Sequence, residues 1–396
     1  MQKKIIALAV AGLMSGAAFA QTNVTVYGVV DQYYAHGNAD QVAGTPDQSF
    51  NGLNSGGLSG SRLGFKGVED LGNGLKAAFV FEYGTLDSTA NSATNTVGVG
   101  RSQVTNGMDN WRQAYVGLVG NFGTAVAGRL QHFGYDWAAK YDTNGASIFS
   151  PMGQLSDNAG LATSARDALG RTDNAIAYIS PNLSGFTVKG AYAFGEQIDG
   201  SRQISAAGAQ AAVGSEIKSA QDIWQLAADY DNGPVAVGFV YTDVSDLGGT
   251  ARLGVSTDRT EWALGGSYDF GMAKLFGTYQ KAKTDVSGAG ADTDYKLWHI
   301  GARAPIGANM SVALSYGEIN VDPSNANDEQ SDVWSLDFQY NLSKRTTAYA
   351  GYTKLSNDNG INYSLLNLKG SATGQTATAG LGQSSDQFVV GLRHTF

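Results

Sequence analysis

The feature that most constrains this chain is a two-residue rhythm that recurs from residue 23 to the end. In "SDVWSLDFQYNL", Trp334, Leu336, Phe338, Tyr340 and Leu342 fall on one side of an extended strand, and Val333, Ser335, Asp337, Gln339 and Asn341 on the other. "TEWALGGSYDF" repeats the split, with Trp262, Leu264 and Tyr268 opposite Glu261, Ser267 and Asp269, and "WQLAADY" sets Trp224, Leu226 and Tyr230 opposite Gln225 and Asp229. Alternation of this kind predicts strands with one apolar and one polar face, not helices.

Read this way, the sequence predicts sixteen strands, at 23–37, 60–70, 75–87, 110–122, 124–133, 173–180, 186–199, 220–231, 234–246, 258–270, 273–286, 292–304, 309–322, 331–341, 345–358 and 384–396. Short links such as "LGNG" (71–74), "NG" (232–233) and "NLSK" (341–344) alternate with long ones at 38–59, 88–109, 134–172, 200–219 and 359–383. An antiparallel meander produces that rhythm, because every second connection lies at the same end. An even number of strands also brings both termini to the short-turn end, where the first and last can pair.

No run of about 18 apolar residues follows the N-terminal segment, so helical membrane spans are excluded. A closed barrel crosses hydrocarbon without leaving backbone groups unpaired. A water-soluble sandwich alternates in the same way, but sixteen hairpin-linked strands would make an unusually large one. Aromatic residues bracket the apolar faces, as rings do at headgroup level. The expected fold is therefore all-β: a sixteen-stranded antiparallel transmembrane β-barrel with short periplasmic turns and long external loops. Glycines inside strands, among them Gly28, Gly64, Gly117, Gly128, Gly265 and Gly351, leave room for bends or close packing.

The N-terminus reads "MQKKIIALAVAGLMSGAAFAQ": two lysines, an apolar run too short to span a membrane, and "AFA" before Gln21. This is a secretory signal with cleavage expected after Ala20, leaving 21–396 as one barrel domain. The formal net charge of −9 argues against nucleic acid as a partner. Cysteine is absent, so disulfides and thiolate metal sites are not available. Acidic stretches at 292–295, 325–329 and 357–360 lack the twelve-residue calcium-loop pattern, and no metal site or cofactor is expected.

The stretches "VTVYGVVD", "SRLGFKGVEDLGNGLKAAFVFE", "RQAYVGLVGNFGTAVAGRL", "NAIAYISPNLSGF" and "FVVGLRHTF" resemble the general-diffusion porins of Gram-negative outer membranes, in particular the betaproteobacterial type. The resemblance runs in order along the whole chain. It implies a homotrimer in contact with outer-membrane lipids and lipopolysaccharide, passing small hydrophilic solutes and ions. It further implies that the third long loop, 134–172, folds inward to narrow the pore. The terminal Phe396 closes an aromatic strand of the kind that the barrel-assembly machinery recognises in such proteins.

The resemblance also implies an eyelet in which basic wall residues face loop carboxylates. Matched position by position, the basic side is Arg62, Lys66, Arg129 and Arg171. Parity puts Arg62 and Lys66 opposite Leu63 and Phe65, and Arg129 opposite Val126 and Leu130; a lipid-facing arginine at the midplane would cost about 2–4 kcal/mol, so these are expected to point into the lumen. The acidic candidates are Asp157 and Asp167 in the loop and Glu82 on the wall. Structural salt bridges across a crowded lumen are the alternative role for these charges.

Other classes are weaker. A barrel enzyme needs a nucleophile with an oriented histidine, and none of His36, His132, His299 and His394 sits in such a motif. A substrate-specific channel would show a ladder of aromatics and arginines that is not evident. An adhesin or receptor role for long loops could coexist with a pore.

Overall fold

Each strand's apolar face points outward and its small or polar face inward, so the sheet has no reason to stay open. The structure, a computed structural model, describes residues 23–84, 111–163, 170–195, 197–198, 217–218, 222–245, 257–287, 290–365 and 377–396. The segment expected to be a signal peptide lies outside the described residues, as do Asp167, the 88–109 connection and much of 200–219 and 359–383.

The first half of the wall comprises β1 (Asn23–Ala39), β3 (Arg62–Gly72), β4 (Leu75–Gly84), β5 (Trp111–Gly120), β6 (Gly123–Gln131), β7 (Arg171–Ile179) and β8 (Phe186–Ala193). Two-residue β9 (Gln197–Ile198) and β10 (Ile217–Lys218) pair only with each other. The second half runs β11 (Asp222–Asn232), β12 (Val235–Ser245), β13 (Thr257–Asp269), β14 (Lys274–Val286), β15 (Thr293–Ile306), β16 (Met310–Pro323), β17 (Glu329–Asn341), β18 (Thr346–Asn357) and β19 (Ser385–Thr395). All sixteen expected strands are present, antiparallel to their neighbours, and β1 pairs with β19 to close the barrel.

One strand of the barrel wall went unanticipated, and β10 lies in what was expected to be a long connection. β2 (Gln48–Ser55) doubles back within the first long connection and pairs with the loop end of β1, while β3 takes the other end of the same strand. Its "QSFNGLNS" is short, polar and glycine-containing, which gives no alternation strong enough to read.

Outside, stacked aromatic pairs recur every second strand: Trp224 with Tyr241, Trp262 with Tyr279, Trp298 with Tyr316 and Trp334 with Tyr352. They form a girdle over β11–β18 at the depth where amphipathic rings sit. Inside, the long connection after β6 carries two short helices, α1 (Phe133–Tyr141) and α2 (Pro151–Ala159). Ser150 caps α2, accepting from the Gly153 N–H at 2.8 Å, and Pro151 opens it where no donor is needed.

The interior of the barrel is the core. Phe133, Trp137 and Tyr141 of α1 and Met152 and Leu155 of α2 are buried against inward-facing Ala227, Val240, Ala263, Leu297 and Ile319. A Cβ at Gly238 or Gly265 would run into Tyr141, so small wall residues let the loop lie flat on the sheet.

Candidate functional site

Three wall carboxylates hold the infolded loop. Asp229 of β11 accepts from the Tyr141 hydroxyl at 2.9 Å and lies 3.3 Å from Lys140 Nζ. Glu261 of β13 accepts the backbone N–H groups of Ala162 and Thr163 at 2.8 and 2.7 Å. Asp337 of β17 accepts from Asn144 Nδ2 at 2.6 Å while Arg303 bridges both its oxygens at 3.2 and 3.0 Å. Each replaces hydration that the loop loses on leaving solvent, and buried polar groups must find such partners.

The held loop faces the wall formed by β3–β7. Arg62 and Lys66 of β3 and Glu82 of β4 share the inner face, since Gly64 pairs with Glu82 and Lys66 with Val80. Glu82 is 5% exposed and draws three groups together. Arg112 Nε donates to Oε1 at 2.7 Å, Tyr27 Oη to Oε2 at 3.1 Å, and Arg62 Nε lies 3.5 Å from Oε2. Lys66 Nζ sits 5.3 Å from the Tyr27 ring centre. Across from them, the Arg171 guanidinium lies 5.0 Å over the ring of Tyr135 on α1 and donates to Gln131 Oε1 at 3.2 Å. Gln131 in turn donates to Asp136 Oδ1 at 2.5 Å, and Tyr135 interacts with both Arg112 and Arg171.

Arg112 is the residue the sequence reading missed. By strict alternation from Tyr115 it belongs outside, but the register shifts here: Glu82 pairs with Gln113, Tyr83 with Trp111, and Arg112 is left as the extra residue. Such a bulge re-aims a side chain, in this case into the lumen. The signal available was the Arg112–Gln113 doublet, two polar residues in succession where alternation allows one.

Arg129 corrects the sequence reading in the opposite sense. It pairs with Ala114, which pairs with outward-facing Phe81, so it stands on the outer face. Its Nε donates to the Trp111 carbonyl at 2.6 Å and its Nη1 to Asp173 at 2.7 Å. The Trp111 carbonyl and the Asp173 carboxylate offset the cost that had argued for the lumen. Asp157 lies on α2, which packs on β15–β17, on the side of the barrel away from β3–β7. The geometry thus brings together Arg62, Lys66, Arg171 and Glu82, adds Arg112 and Asp136, and leaves Arg129 out.

A closed antiparallel barrel of this size is what the comparisons match. The family model for the Gram-negative porin matches residues 7–360. This chain belongs to the Gram-negative porin family. Outer membrane porin protein 32 of Delftia acidovorans is 35% identical over 406 residues, covering 100% of both chains. An outer membrane porin of Bordetella pertussis is 29% identical, covering 88% of this chain and 93% of its own. The solved anion-selective porin from Comamonas acidovorans superposes with a TM-score of 0.72 at 31% identity, over 95% of this chain and 100% of its own. The protein is an outer-membrane porin: a water-filled channel through which small hydrophilic solutes and ions diffuse passively. Its work needs only a wetted lumen and a charged constriction, with no covalent step.

Proposed function

We propose that this porin prefers anions, with Arg62, Lys66, Arg112 and Arg171 as the basic side of its eyelet and Glu82 and Asp136 as its acidic side. The convergence of Arg62 and Arg112 on the single carboxylate of Glu82, with Arg171 facing them, carries the proposal. Four cations against two carboxylates leave an excess of positive charge where the infolded loop faces the wall of β3–β7. The chain's net charge of −9 does not oppose this, because loop charges more than about 8 Å away are screened at physiological salt. The relative from Comamonas acidovorans is an anion-selective porin, which supports the same sign.

In this proposal, residues 1–20 are removed as a signal peptide, 21–396 form the barrel, and 134–172 act as the constriction loop. Asp157, across the lumen from this cluster on α2, would oppose it and turn dipolar solutes as they pass, leaving four cations against three carboxylates; Asp167 lies outside the described residues. The working form is a homotrimer, with the Trp–Tyr girdle of β11–β18 facing lipid and lipopolysaccharide. Phe396 is the residue presented to the barrel-assembly machinery.

Zero-current potential in a planar bilayer under a tenfold KCl gradient tests the charge preference. An anion-side potential that collapses in Arg62→Ala/Arg112→Ala supports it. A cation-side potential from folded wild-type protein overturns it.

A further inference from the structure

We infer that the outer wall carries a docking site for the phosphate-bearing headgroup of lipopolysaccharide, built on Lys281 of β14 and Lys296 of β15. The site rests on the reading above that β11–β18 face lipid, and it uses no residue of the eyelet.

Lys281 and Lys296 are direct cross-strand partners. Alternation puts both outside: Lys281 also stands across from Trp262 and follows Tyr279 in its own outer row, and Lys296 shares its row with Trp298. Residues so opposed have Cβ atoms about 4.5–5.5 Å apart, and like charges at that spacing destabilise a sheet. Neither lysine forms an ion pair among the described residues. Other lysines of the same belt are matched. Lys354 stands opposite Asp386, and Lys283 lies 2.5 Å from Asp285 and opposite Asp294.

The carboxylates beside the pair are turned to other groups. Glu318, diagonal to Lys296, accepts from Trp298 Nε1, Asn320 Nδ2 and the Tyr316 hydroxyl, all at 3.3 Å. Asp294 has a shielded Oδ1 with no hydrogen bond, but its charge acts on Lys283, its cross-strand partner, and it makes no ion pair with Lys281 or Lys296. Two neighbouring ammonium groups therefore lack an anion from this chain.

Their depth says where the anion comes from. Trp262 stacks on Tyr279 at 5.5 Å and Trp298 on Tyr316 at 5.3 Å, rings that mark the headgroup boundary. Lys281 and Lys296 lie two residues beyond Tyr279 and Trp298, about 7 Å farther along the strands and away from the short turns. There a lysine stem rests on apolar surface while its head reaches the headgroup layer. On the other side of the rings, Leu264, Leu275 and Ile300 are exposed on the same face. A lipid satisfies both zones at once, phosphate on the lysines and acyl chains on the leucines and isoleucine. A free phosphate satisfies only the first.

The test is binding of lipopolysaccharide to refolded, heat-modifiable protein in detergent with a chelator present, with dephosphorylated lipopolysaccharide and inorganic phosphate as controls. The expected result is binding that needs the lipid's phosphates and is not displaced by inorganic phosphate at equal concentration. Lys281→Gln and Lys296→Gln each weaken it about fivefold, the size of one lysine at an anionic lipid surface. Lys281→Arg/Lys296→Arg keeps it, and Lys354→Gln leaves it unchanged. Unchanged binding in Lys281→Gln/Lys296→Gln overturns the site, as does equal binding of the dephosphorylated lipid. Displacement by inorganic phosphate overturns the lipid as occupant. Binding that vanishes on chelation, or that Asp294→Asn weakens, overturns the lysines in favour of a metal bridge from the acidic pairs Asp294–Asp322 and Glu318–Asp332. Quenching by brominated lipid, taken as wild type minus Trp262→Phe, tests the lipid-facing reading separately. Its absence sinks that reading, whereas quenching with unchanged binding in the double variant sinks only the lysine site. Should the double variant not assemble, each single variant carries the same readout.

Discussion

Phe396 and Gly28 exchange both backbone hydrogen bonds, N–H to carbonyl at 3.1 Å in each direction, and the Phe396 ring lies where a side chain at Gly28 would be. The first and last strands thus meet through an aromatic that covers a glycine on the lipid face. A Cβ at Gly28 would collide with the ring and with the Arg62 carbonyl. Gly28→Val is expected to cost at least about 1–3 kcal/mol through overpacking, and to cut the yield of heat-modifiable barrel more than Val26→Ala does. Equal yields of the two variants would show that closure does not depend on this fit.

Arg112 and Arg129 make a matched pair of opposites, one turned in by a bulge and one held out by its pairing with Ala114. Arg112→Ala should lower the anion-to-cation permeability ratio about three- to tenfold, equal to about 0.6–1.4 kcal/mol. Arg129→Ala should leave that ratio unchanged and act, if at all, on thermal stability through the lost contact with Asp173. Reversal potentials of the two variants side by side decide the matter. A large shift in Arg129→Ala alone would reverse the assignment of faces.

The barrel was legible because its signal is redundant: every strand repeats the same alternation, and "NG" and "NLSK" mark turns independently. Arg62, Lys66 and Glu82 were legible for the same reason, since no bulge lies between them and their strands keep strict parity there. Arg112 was not, because one extra residue flips every inference made across it. Asp136 was not legible either, because its closeness to Gln131 depends on how α1 docks. Docking is set by Trp137 and Tyr141 lying over Gly238 and Gly265, a tertiary fit with no local period. The carboxylates Asp229, Glu261 and Asp337 read simply as inward-facing polar residues, and nothing local tells that they hold a loop.

Glu261 offers the cleanest way to loosen that loop. It is fully buried and accepts two backbone N–H groups that have no other strand to pair with. Glu261→Ala leaves the Ala162 and Thr163 N–H donors without an acceptor, a cost of about 1–3 kcal/mol for each orphaned group. The barrel itself, fastened by its backbone ladder, should still assemble. Single-channel records should show a folded pore with larger open-state current noise than the wild type. Records as quiet as the wild type would mean that the other contacts hold the loop without Glu261.

Tyr141 gives a pH test of the same anchorage. Burial first, and the Asp229 carboxylate second, push its phenol well above the ordinary value of 10.0. A group whose folded pKa is raised contributes stability that is fully present below its unfolded value and is lost only as pH rises through the folded one. The hydroxyl that donates to Asp229 therefore stays protonated up to pH 10 and beyond, and this anchor of α1 should not weaken in mild alkali. A spectrophotometric phenol titration of folded wild type minus Tyr141→Phe should show no ionisation assignable to Tyr141 near pH 10. An ordinary phenol in that difference would mean that the ring is reached by water and that α1 is not seated on β12 and β13 as described.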